Sequence, residues 1–282
     1  MSNAQRIAFQ GVPGAYSHMA VATVYPDAEA VGFDTFAQAF AAVENGDCDL
    51  GMIPIENTLG GRVADNHHLI PESNLRIVGE HYQSVRHQLL APEGATLDSL
   101  KYVASHEQGL AQCRELIREL GVEPVDFGDT AGAAREAARR NDPTYAAIAS
   151  ELAAEIYGLQ VLRSRIEDRL GNTTRMVIMS RSAIEPDPRD GDAITSIVFQ
   201  VRSIPGALYK ALGGFATNQV DITKLESYIT DQSFTAAQFY VEFEGHPADP
   251  SVANALEELQ FFCTTMKRLG TFPASDWRKA NA

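Results

Sequence analysis

The chain has 282 residues, of which 45% are hydrophobic and 21% are charged. This is ordinary globular composition, and it excludes a disordered chain, a collagen-like chain and a disulfide scaffold. Asp and Glu outnumber Lys and Arg by 37 to 23, giving a net charge of -14. That balance argues against a nucleic-acid-binding protein, a class that carries a basic face.

The cysteines and the N-terminal stretch indicate the cellular compartment. Cys48, Cys113 and Cys263 are isolated and form no CxxC pair, so we interpret them as free thiols in a reducing compartment. The first residues lack a basic segment followed by an apolar core, and we expect no signal peptide. No window approaches the ~18 apolar residues of a membrane span. We therefore predict a cytoplasmic protein that binds neither membrane nor nucleic acid.

Residues 6–182 alternate between short apolar strands and amphipathic helices. The predicted elements, in chain order, are a strand at 6–9, a helix capped by Ser17, a helix at 36–45, a strand at 49–53, extended stretches at 75–82 and 84–91, a strand at 102–105, a helix at 108–120, a strand at 122–127, a helix at 129–140, a strand at 145–150, a helix at 151–158 and a strand at 173–181. We expect Asp34 or Thr35 to cap the second helix and Gly46 to end it. Such alternation indicates parallel sheets with helices on both faces. The extended stretches near 76–91 interrupt it and suggest crossings between two α/β lobes with a cleft between them.

The pattern changes after residues 183–193, AIEPDPRDGDA, which we interpret as a linker. The predicted elements that follow are a strand at 195–202, a helix at 206–219, strands at 221–230 and 235–245 joined by a turn at 231–234, a helix at 250–262 and a strand at 266–272. The order βαββαβ predicts a ferredoxin-like arrangement.

Polar residues cluster directly after the strands of the first part. The clusters are GVPGAYSH at 11–18, PIENTLGG at 54–61, SHEQG at 105–109, DTAG at 129–132 and the opening of the last strand at 172–175. Ligands bind beyond the carboxyl ends of strands in such sheets, so we expect these five clusters to converge on one pocket. Helix starts with small residues favour anions, and the planar fork of Arg175 suits a carboxylate.

Several of these residues have a purely structural alternative. Ser17, Ser105 and Asp129 are good helix N-caps. Glu56 lies in the apolar run IPIEN and is either a pocket residue or one half of a structural pair. His67 and His68 are adjacent, so in a helix they point about 100° apart, and we expect no metal site. The stretch GVPGAYS lacks both GxGxxG and the P-loop lysine, and we expect no nucleotide.

Seven motifs in order carry a resemblance to a known family. GVPGAYSH, IPIENTLGGRV, RHQLLA, SHEQGLAQC, DTAGAA, AAIASELAAEIYGL and NTTRMVIMSR resemble the bacterial prephenate dehydratases, and GALYKAL and LES resemble the ACT regulatory domain. The resemblance covers roughly residues 6–272. It implies an α/β catalytic domain with two lobes, like a type II periplasmic binding protein, and a C-terminal ferredoxin-like βαββαβ ACT domain. The implied boundaries are a catalytic domain at 1–183 (one lobe about 1–80 plus 160–183, the other about 81–159), a linker at 184–193 and the ACT domain at 194–282.

The resemblance also implies an activity. It is the conversion of prephenate to phenylpyruvate, carbon dioxide and water in phenylalanine synthesis, without a cofactor and with phenylalanine feedback through the ACT domain. A homodimer or homotetramer, with ACT domains contributing to its interface, is implied as well.

Site residues are implied by the same resemblance. Thr174 would donate a hydrogen bond to the leaving hydroxyl, and Arg175 would bind a carboxylate. The substrate pocket would include Glu56, Asn57, Thr58, Ser105, Gln108, Thr130 and Asn172. Phenylalanine would bind at Gly206, Ala207, Leu208, Glu226 and Ser227.

The sequence departs from the family pattern at three places. Met176 replaces the phenylalanine that usually follows Thr-Arg, and Glu107 replaces a proline. The usual Glu-Ser-Arg-Pro motif reads Glu226-Ser227-Tyr228-Ile229, which leaves open whether the ACT domain binds an effector or only dimerises the protein. Arogenate dehydratase and a non-catalytic amino-acid sensor are the alternative functions. A transcription regulator would need a helix-turn-helix and a basic face, and the sequence shows neither.

Overall fold

The structure of the protein is a computed structural model that describes residues 4–189, 191–202, 204–229 and 237–281. The described residues form two compact units. The first comprises those of Met1–Asn66 and His81–Met176, and the second those of His67–Glu80 and Val177–Ala282. The predicted boundaries at 183 and 194 stay a prediction. Among the described residues, no helix combines the length and apolar character needed to cross a membrane.

The strands of the first sheet are β1 Arg6–Gln10, β2 Glu29–Phe33, β3 Leu50–Asn57, β4 Gly61–Arg62, β5 Arg76–Ser84 and β11 Thr173–Ser180. Their order is β2-β1-β3-β11-β5, and β4 pairs with β3. As predicted, β1 is parallel to both β2 and β3. Its helices are α1 Tyr16–Val24, α2 Phe36–Asn45 and α3 Ala64–Glu72.

The strands of the second sheet are β6 Gln88–Ala91, β7 Tyr102–Ser105, β8 Glu123–Asp126, β9 Tyr145–Ala149 and β10 Gln160–Ser164. Their order in the sheet is β10-β6-β9-β7-β8. The helices between these strands are α4 Glu107–Gln112, α5 Arg114–Leu120, α6 Thr130–Arg140 and α7 Glu151–Tyr157. Strand β7 is parallel to β8 and β9, whereas β6 is antiparallel to β9 and to β10. Parallel pairing is therefore as predicted for β7, β8 and β9, whereas β6, which lies in the extended stretch at 84–91, and β10 pair antiparallel.

Four helix N-caps were predicted, and two of them are present in the structure. Thr35 caps α2 in a capping box with Gln38, and Gly46 ends that helix in a left-handed conformation, as predicted. Asp129 caps α6 as predicted. Ser17 does not cap α1, which begins one residue before it, and Ser105 does not cap α4, because His106 occupies that position.

The predicted helix at 108–120 is two helices. Backbone geometry breaks at Cys113, where ψ is 31°. The Asp168 carboxylate accepts hydrogen bonds from Arg114 N at 2.9 Å and Glu115 N at 3.1 Å, and so caps α5 from a distant part of the chain. The predicted apolar stripe survives the break: Cys113 is buried in one core cluster, and Leu110 and Ile117 pack against that cluster.

The second unit contains the predicted βαββαβ order. Its elements are β12 Ala193–Val201, α8 Ala207–Thr217, β13 Ile222–Ile229, β14 Ala237–Glu244, α9 Pro250–Phe262 and β15 Cys263–Pro273, followed by α10 Asp276–Ala280. The sheet has the order β13-β14-β12-β15, and each neighbouring pair is antiparallel. Phe199, Phe215 and Phe243 fill the core that the two longer helices cover. The turn predicted at 231–234 lies outside the described residues.

Candidate functional site

A cavity of about 380 Å³ lies in the first unit, where the polar ends of its strands meet. Its wall consists of Gln10, Gly11, Ala15, Tyr16, Ser17, Pro54, Asn57, Val85, His87, His106, Gln108, Gly109, Gln112, Gly128, Asp129, Thr130, Asn172, Thr174 and Met176. All five polar clusters of the sequence contribute to this wall, so the structure brings them together at one place.

Asn57, the last residue of β3, makes four hydrogen bonds with its side-chain amide. Its Oδ1 accepts from the backbone N–H groups of Leu59 at 2.9 Å and Gly60 at 2.7 Å. Its Nδ2 donates to Asn172 Oδ1 at 2.7 Å and to Thr174 Oγ1 at 2.9 Å. The predicted donor Thr174 is therefore held at the cavity wall by Asn57.

The polar network continues from Asn172 along the wall. Asn172 Nδ2 donates to Gln112 Oε1 at 2.7 Å, and His87 Nε2 lies 3.0 Å from the same oxygen. His87 Nδ1 is 2.9 Å from the Tyr16 hydroxyl. Burial lowers the pKa of His87 and raises the pKa of Tyr16 well above its usual value, so both groups favour their neutral forms.

Arg175 follows Thr174 on β11 but does not share its surroundings. Successive side chains of a strand point to opposite faces. Arg175 is 3% exposed, and its guanidinium forms an ion pair of 3.0 Å with Glu56, whose side chain is 34% exposed. Among the described residues, the cavity wall includes neither member of this pair. The structure thus shows Glu56 in a pair, which was one of its two alternatives.

Thr58 and Ser105 also lie off the wall and bond to the backbone. Thr58 Oγ1 accepts from Thr173 N at 3.0 Å and donates to Gly171 O at 3.2 Å. Ser105 is fully buried and donates to Ile148 O at 2.7 Å. These bonds tie together the loops that carry the wall, whereas Asn57, Gln108, Thr130, Asn172 and Thr174 line it directly.

The charge of the wall is unusual for a site predicted to bind a dianion. In the part of the chain that the structure describes, the wall holds no Lys or Arg, and its one carboxylate is Asp129. Asp129 Oδ1 accepts from Gly132 N at 2.6 Å. The remaining polar groups of the wall are amides, hydroxyls and the imidazoles of His87 and His106.

The predicted effector residues lie in the second unit. Gly206 precedes α8 with φ 73°, Ala207 is buried at the start of that helix, and Leu208 packs against the core. On β13, Glu226 pairs with Lys224 at 3.5 Å, and Ser227 is exposed.

The third departure from the family pattern, at Tyr228 and Ile229, also lies there. Tyr228, where the family has arginine, is buried, and its hydroxyl is 2.5 Å from His67 Nδ1. The next residue, Ile229, is 49% exposed. Within the described ranges, no group of three or more His, Cys, Asp or Glu side chains could hold a metal ion.

Sequence reasoning did not single out Tyr16, His87 or Gln112 as site residues. Two signals were present. Gln112 follows Gln108 by four residues, a spacing that places both on one face of a helix. His87 is a polar residue at the start of the apolar run QLLA. Only the packing of the two sheets brings these residues to the same wall.

Comparison with known proteins gives consistent results. A family model described as prephenate dehydratase matches residues 7–184. The chain is 47% identical over 282 residues to a bifunctional N-acyl-homoserine lactone acylase/prephenate dehydratase of Komagataeibacter europaeus, with 99% of each chain covered. It is 42% identical over 277 residues to arogenate dehydratase/prephenate dehydratase 2, chloroplastic, of Arabidopsis thaliana, covering 95% of this chain and 72% of the relative. The crystal structure of prephenate dehydratase in complex with L-Phe from Arthrobacter aurescens has a TM-score of 0.88 at 29% identity, covering 96% of this chain and 90% of that one.

Proposed function

Because the chain belongs to the prephenate dehydratase family, we propose that its cavity binds prephenate and converts it to phenylpyruvate, carbon dioxide and water. The observation that carries the proposal is the position of Thr174. Its hydroxyl lies on the wall of a cavity of about 380 Å³, together with four further residues of the predicted pocket. That volume falls within the range of small-molecule sites.

The reaction requires little chemistry from the protein. The bond between the ring and its carboxylate breaks, its electron pair makes the ring aromatic, and the ring C–O bond breaks as hydroxide departs. A proton converts the hydroxide to water, while the side-chain carboxylate stays on the product. Thr174 contributes a positioned donor whose hydrogen bond strengthens as charge develops on the leaving oxygen. A threonine hydroxyl is too weak an acid to serve as a stored proton source.

Arg175 remains the predicted carboxylate ligand under this proposal. Its guanidinium is paired with Glu56 at 3.0 Å, so direct binding to substrate requires it to exchange that partner. The pair also supports a positioning role, in which Arg175 holds β11 and thereby the neighbouring Thr174. Arg175→Lys separates these roles, because a point charge does not reproduce a bidentate fork and raises KM if the fork holds substrate.

The main test is the turnover of Thr174→Ala and Thr174→Ser. Without the hydroxyl, we expect kcat to fall by roughly a hundredfold or more with little change in KM. Thr174→Ser keeps the hydroxyl and is the matched control, which we expect to retain most of the activity. Turnover of Thr174→Ala close to that of the unmodified protein would remove Thr174 from the mechanism.

A specific observation favours arogenate as a second substrate. Arogenate carries an ammonium group where prephenate has a keto group, and it needs an acidic or carbonyl partner. Asp129 places a carboxylate on the cavity wall, and several relatives are named arogenate dehydratases. Parallel assays with both substrates decide between them, since they measure phenylpyruvate formed from one and phenylalanine formed from the other.

An acylase activity is a further candidate because of the 47% identical bifunctional relative. Release of the fatty acid from an N-acyl-homoserine lactone, assayed with the same preparation, tests it. A loss of both activities in Thr174→Ala would assign them to one cavity.

We propose phenylalanine as the effector of the C-terminal domain. The complex with L-Phe of the Arthrobacter aurescens protein supports this proposal. A cytoplasmic homodimer or homotetramer, with the C-terminal domains contributing to the interface, is proposed with it. Turnover measured with and without phenylalanine distinguishes a regulatory domain from one that only dimerises the protein. Phenylalanine binding without turnover of either substrate would instead favour the amino-acid sensor.

A further inference from the structure

The amide of Asn57 has a fixed orientation because backbone groups surround one end of it. The N–H groups of Leu59 and Gly60 can only donate, and both lie within 2.9 Å of Oδ1. The atom facing them must therefore be the oxygen, and the NH2 group must face the other way. This assignment depends on the loop backbone and not on a choice between two similar amide orientations.

The orientation of Asn57 determines the direction of the hydrogen bonds that run from it through Asn172 and Gln112 to His87 Nε2. Its NH2 group faces Asn172 at 2.7 Å, so Asn172 must present its oxygen there and its own NH2 group to Gln112. Gln112 must then accept with Oε1, and His87 must donate to that oxygen from Nε2 at 3.0 Å. In a neutral imidazole the other nitrogen is an acceptor, and the Tyr16 hydroxyl shares its one hydrogen between this nitrogen, at 2.9 Å, and Arg86 O, at 3.0 Å.

Asn57 also determines the direction of the hydrogen bond to Thr174. One Asn57 hydrogen is directed to Asn172, and the other is directed to Thr174 Oγ1 at 2.9 Å. That bond uses a lone pair of Oγ1 and directs the hydroxyl hydrogen elsewhere. Within the described residues Oγ1 has no second hydrogen-bond partner, and Thr174 lines the cavity.

We propose that Asn57 is a positioning residue, which makes Thr174 a hydrogen-bond donor toward the cavity and does not itself bind substrate. All four hydrogen-bonding positions of its amide are occupied by protein groups, so none is left for a ligand. The catalytic consequence rests on the proposed function, whereas the polarity of the network does not. Burial lowers the pKa of His87 and so favours the neutral imidazole, in which Nε2–H is the donor to Gln112.

Asn57→Asp is the decisive variant because it is isosteric and replaces the NH2 donor by an acceptor. A carboxylate still accepts from the backbone of Leu59 and Gly60, but its second oxygen cannot donate to Asn172 or to Thr174. The Thr174 hydroxyl then donates to Asp at this position and no longer to the cavity. We expect kcat to fall roughly a hundredfold with KM changed much less.

A double-mutant cycle with Thr174→Val separates this role from direct substrate binding. If Asn57 acts through Thr174, adding Asn57→Asp to Thr174→Val lowers kcat by less than about threefold. If Asn57 binds substrate itself, the two losses multiply, and that result would overturn the proposal. An unchanged kcat in Asn57→Asp alone would overturn it as well.

A measurement without substrate keeps the inference testable if the chain turns over neither prephenate nor arogenate. In protein labelled with 15N-histidine, the imidazole signals of His87 are assigned by their loss in His87→Gln. We expect the Nε2–H tautomer near neutral pH. The Nδ1–H tautomer would contradict the polarity of the network whatever the enzymatic result, whereas absent turnover with the expected tautomer would contradict the proposed function alone.

Discussion

The loop at 11–18 contributes to the cavity wall, and we expect an added methyl group at Gly14 to destabilise this loop strongly. It has φ 91°, and a Cβ added there would lie 2.8 Å from Ala153 Cα and 2.9 Å from Ala153 Cβ. Its carbonyl accepts from Ser150 Oγ at 2.5 Å, which draws the loop against the start of α7. The backbone atom of Ala153 cannot rotate away, so the loop itself must move in Gly14→Ala.

Gly121→Ala supplies the matched control for backbone strain. Gly121 has φ 63°, and within the described residues nothing lies within 4 Å of an added Cβ. An L-amino acid in the left-handed range of φ lowers the free energy of unfolding by roughly 1–2 kcal/mol. Alanine also restricts the unfolded chain more than glycine does, which raises the free energy of unfolding by about 0.4–1 kcal/mol. We therefore expect Gly121→Ala to lower the free energy of unfolding by about 1 kcal/mol. Gly14→Ala adds overpacking, typically about 1–3 kcal/mol, so we expect a total of about 3 kcal/mol.

Urea unfolding followed by far-UV circular dichroism measures both variants, and hydrogen exchange of the Ala153 and Ala154 amides reports on α7 locally. We expect faster exchange there in Gly14→Ala and no change in Gly121→Ala. Equal losses of stability in the two variants would refute the reasoning, because they would show that backbone strain alone determines the cost. A loss below about 1 kcal/mol in Gly14→Ala would show that the loop separates from α7 easily.

Two further predictions concern charge. Asp129→Ser keeps the cap of α6 but removes the carboxylate, so it should raise KM for arogenate more than for prephenate in steady-state assays. Asp129→Ala also removes the cap and should in addition lower the free energy of unfolding by about 1 kcal/mol. Equal KM changes for both substrates would exclude a contact between Asp129 and the ammonium group. Burial lowers the pKa of His18, His81 and His87 in the folded protein. As the pH falls below about 6.5, these histidines therefore bind protons more readily in the unfolded chain than in the folded protein. The free energy of unfolding should decrease below this pH and stay unchanged above it. Urea midpoints at several pH values should show this decline, and it should be shallower in His87→Gln; an identical slope in that variant would exclude His87 as a contributor.

Local residue patterns predicted most of the elements and the general position of the site. The helix at 36–45 could be predicted with its ends because Thr35, Gln38 and Gly46 act on neighbouring backbone groups. The βαββαβ order of the second unit followed from spacing and apolar alternation in the same way. The convergence of four of the five polar clusters could be predicted because they follow strands and ligands bind beyond the carboxyl ends of strands, whereas the cluster at 172–175 lies at the start of β11.

Predictions failed where a distant residue supplied a local partner. The break at Cys113 depends on Asp168, which caps α5 from 54 residues away along the chain. Ser105 has the sequence signature of a cap, yet its hydroxyl bonds across the sheet to Ile148 O. In both cases the hydrogen bond joins residues that are distant in sequence and that only tertiary packing brings together.

The roles within the site divide along the same line. The sequence by itself determined which residue types lie at the strand ends, and through them the family and Thr174 as the candidate donor. Only the tertiary structure decided that Thr174 lines the cavity while Arg175 forms an ion pair with Glu56. It also decided that all hydrogen bonds of the Asn57 amide are made with protein groups. Strand alternation is a local property, but which face of a strand meets a cavity depends on the elements packed against it. Hydrogen-bond polarity likewise depends on donors that folding brings together from residues more than 100 positions apart.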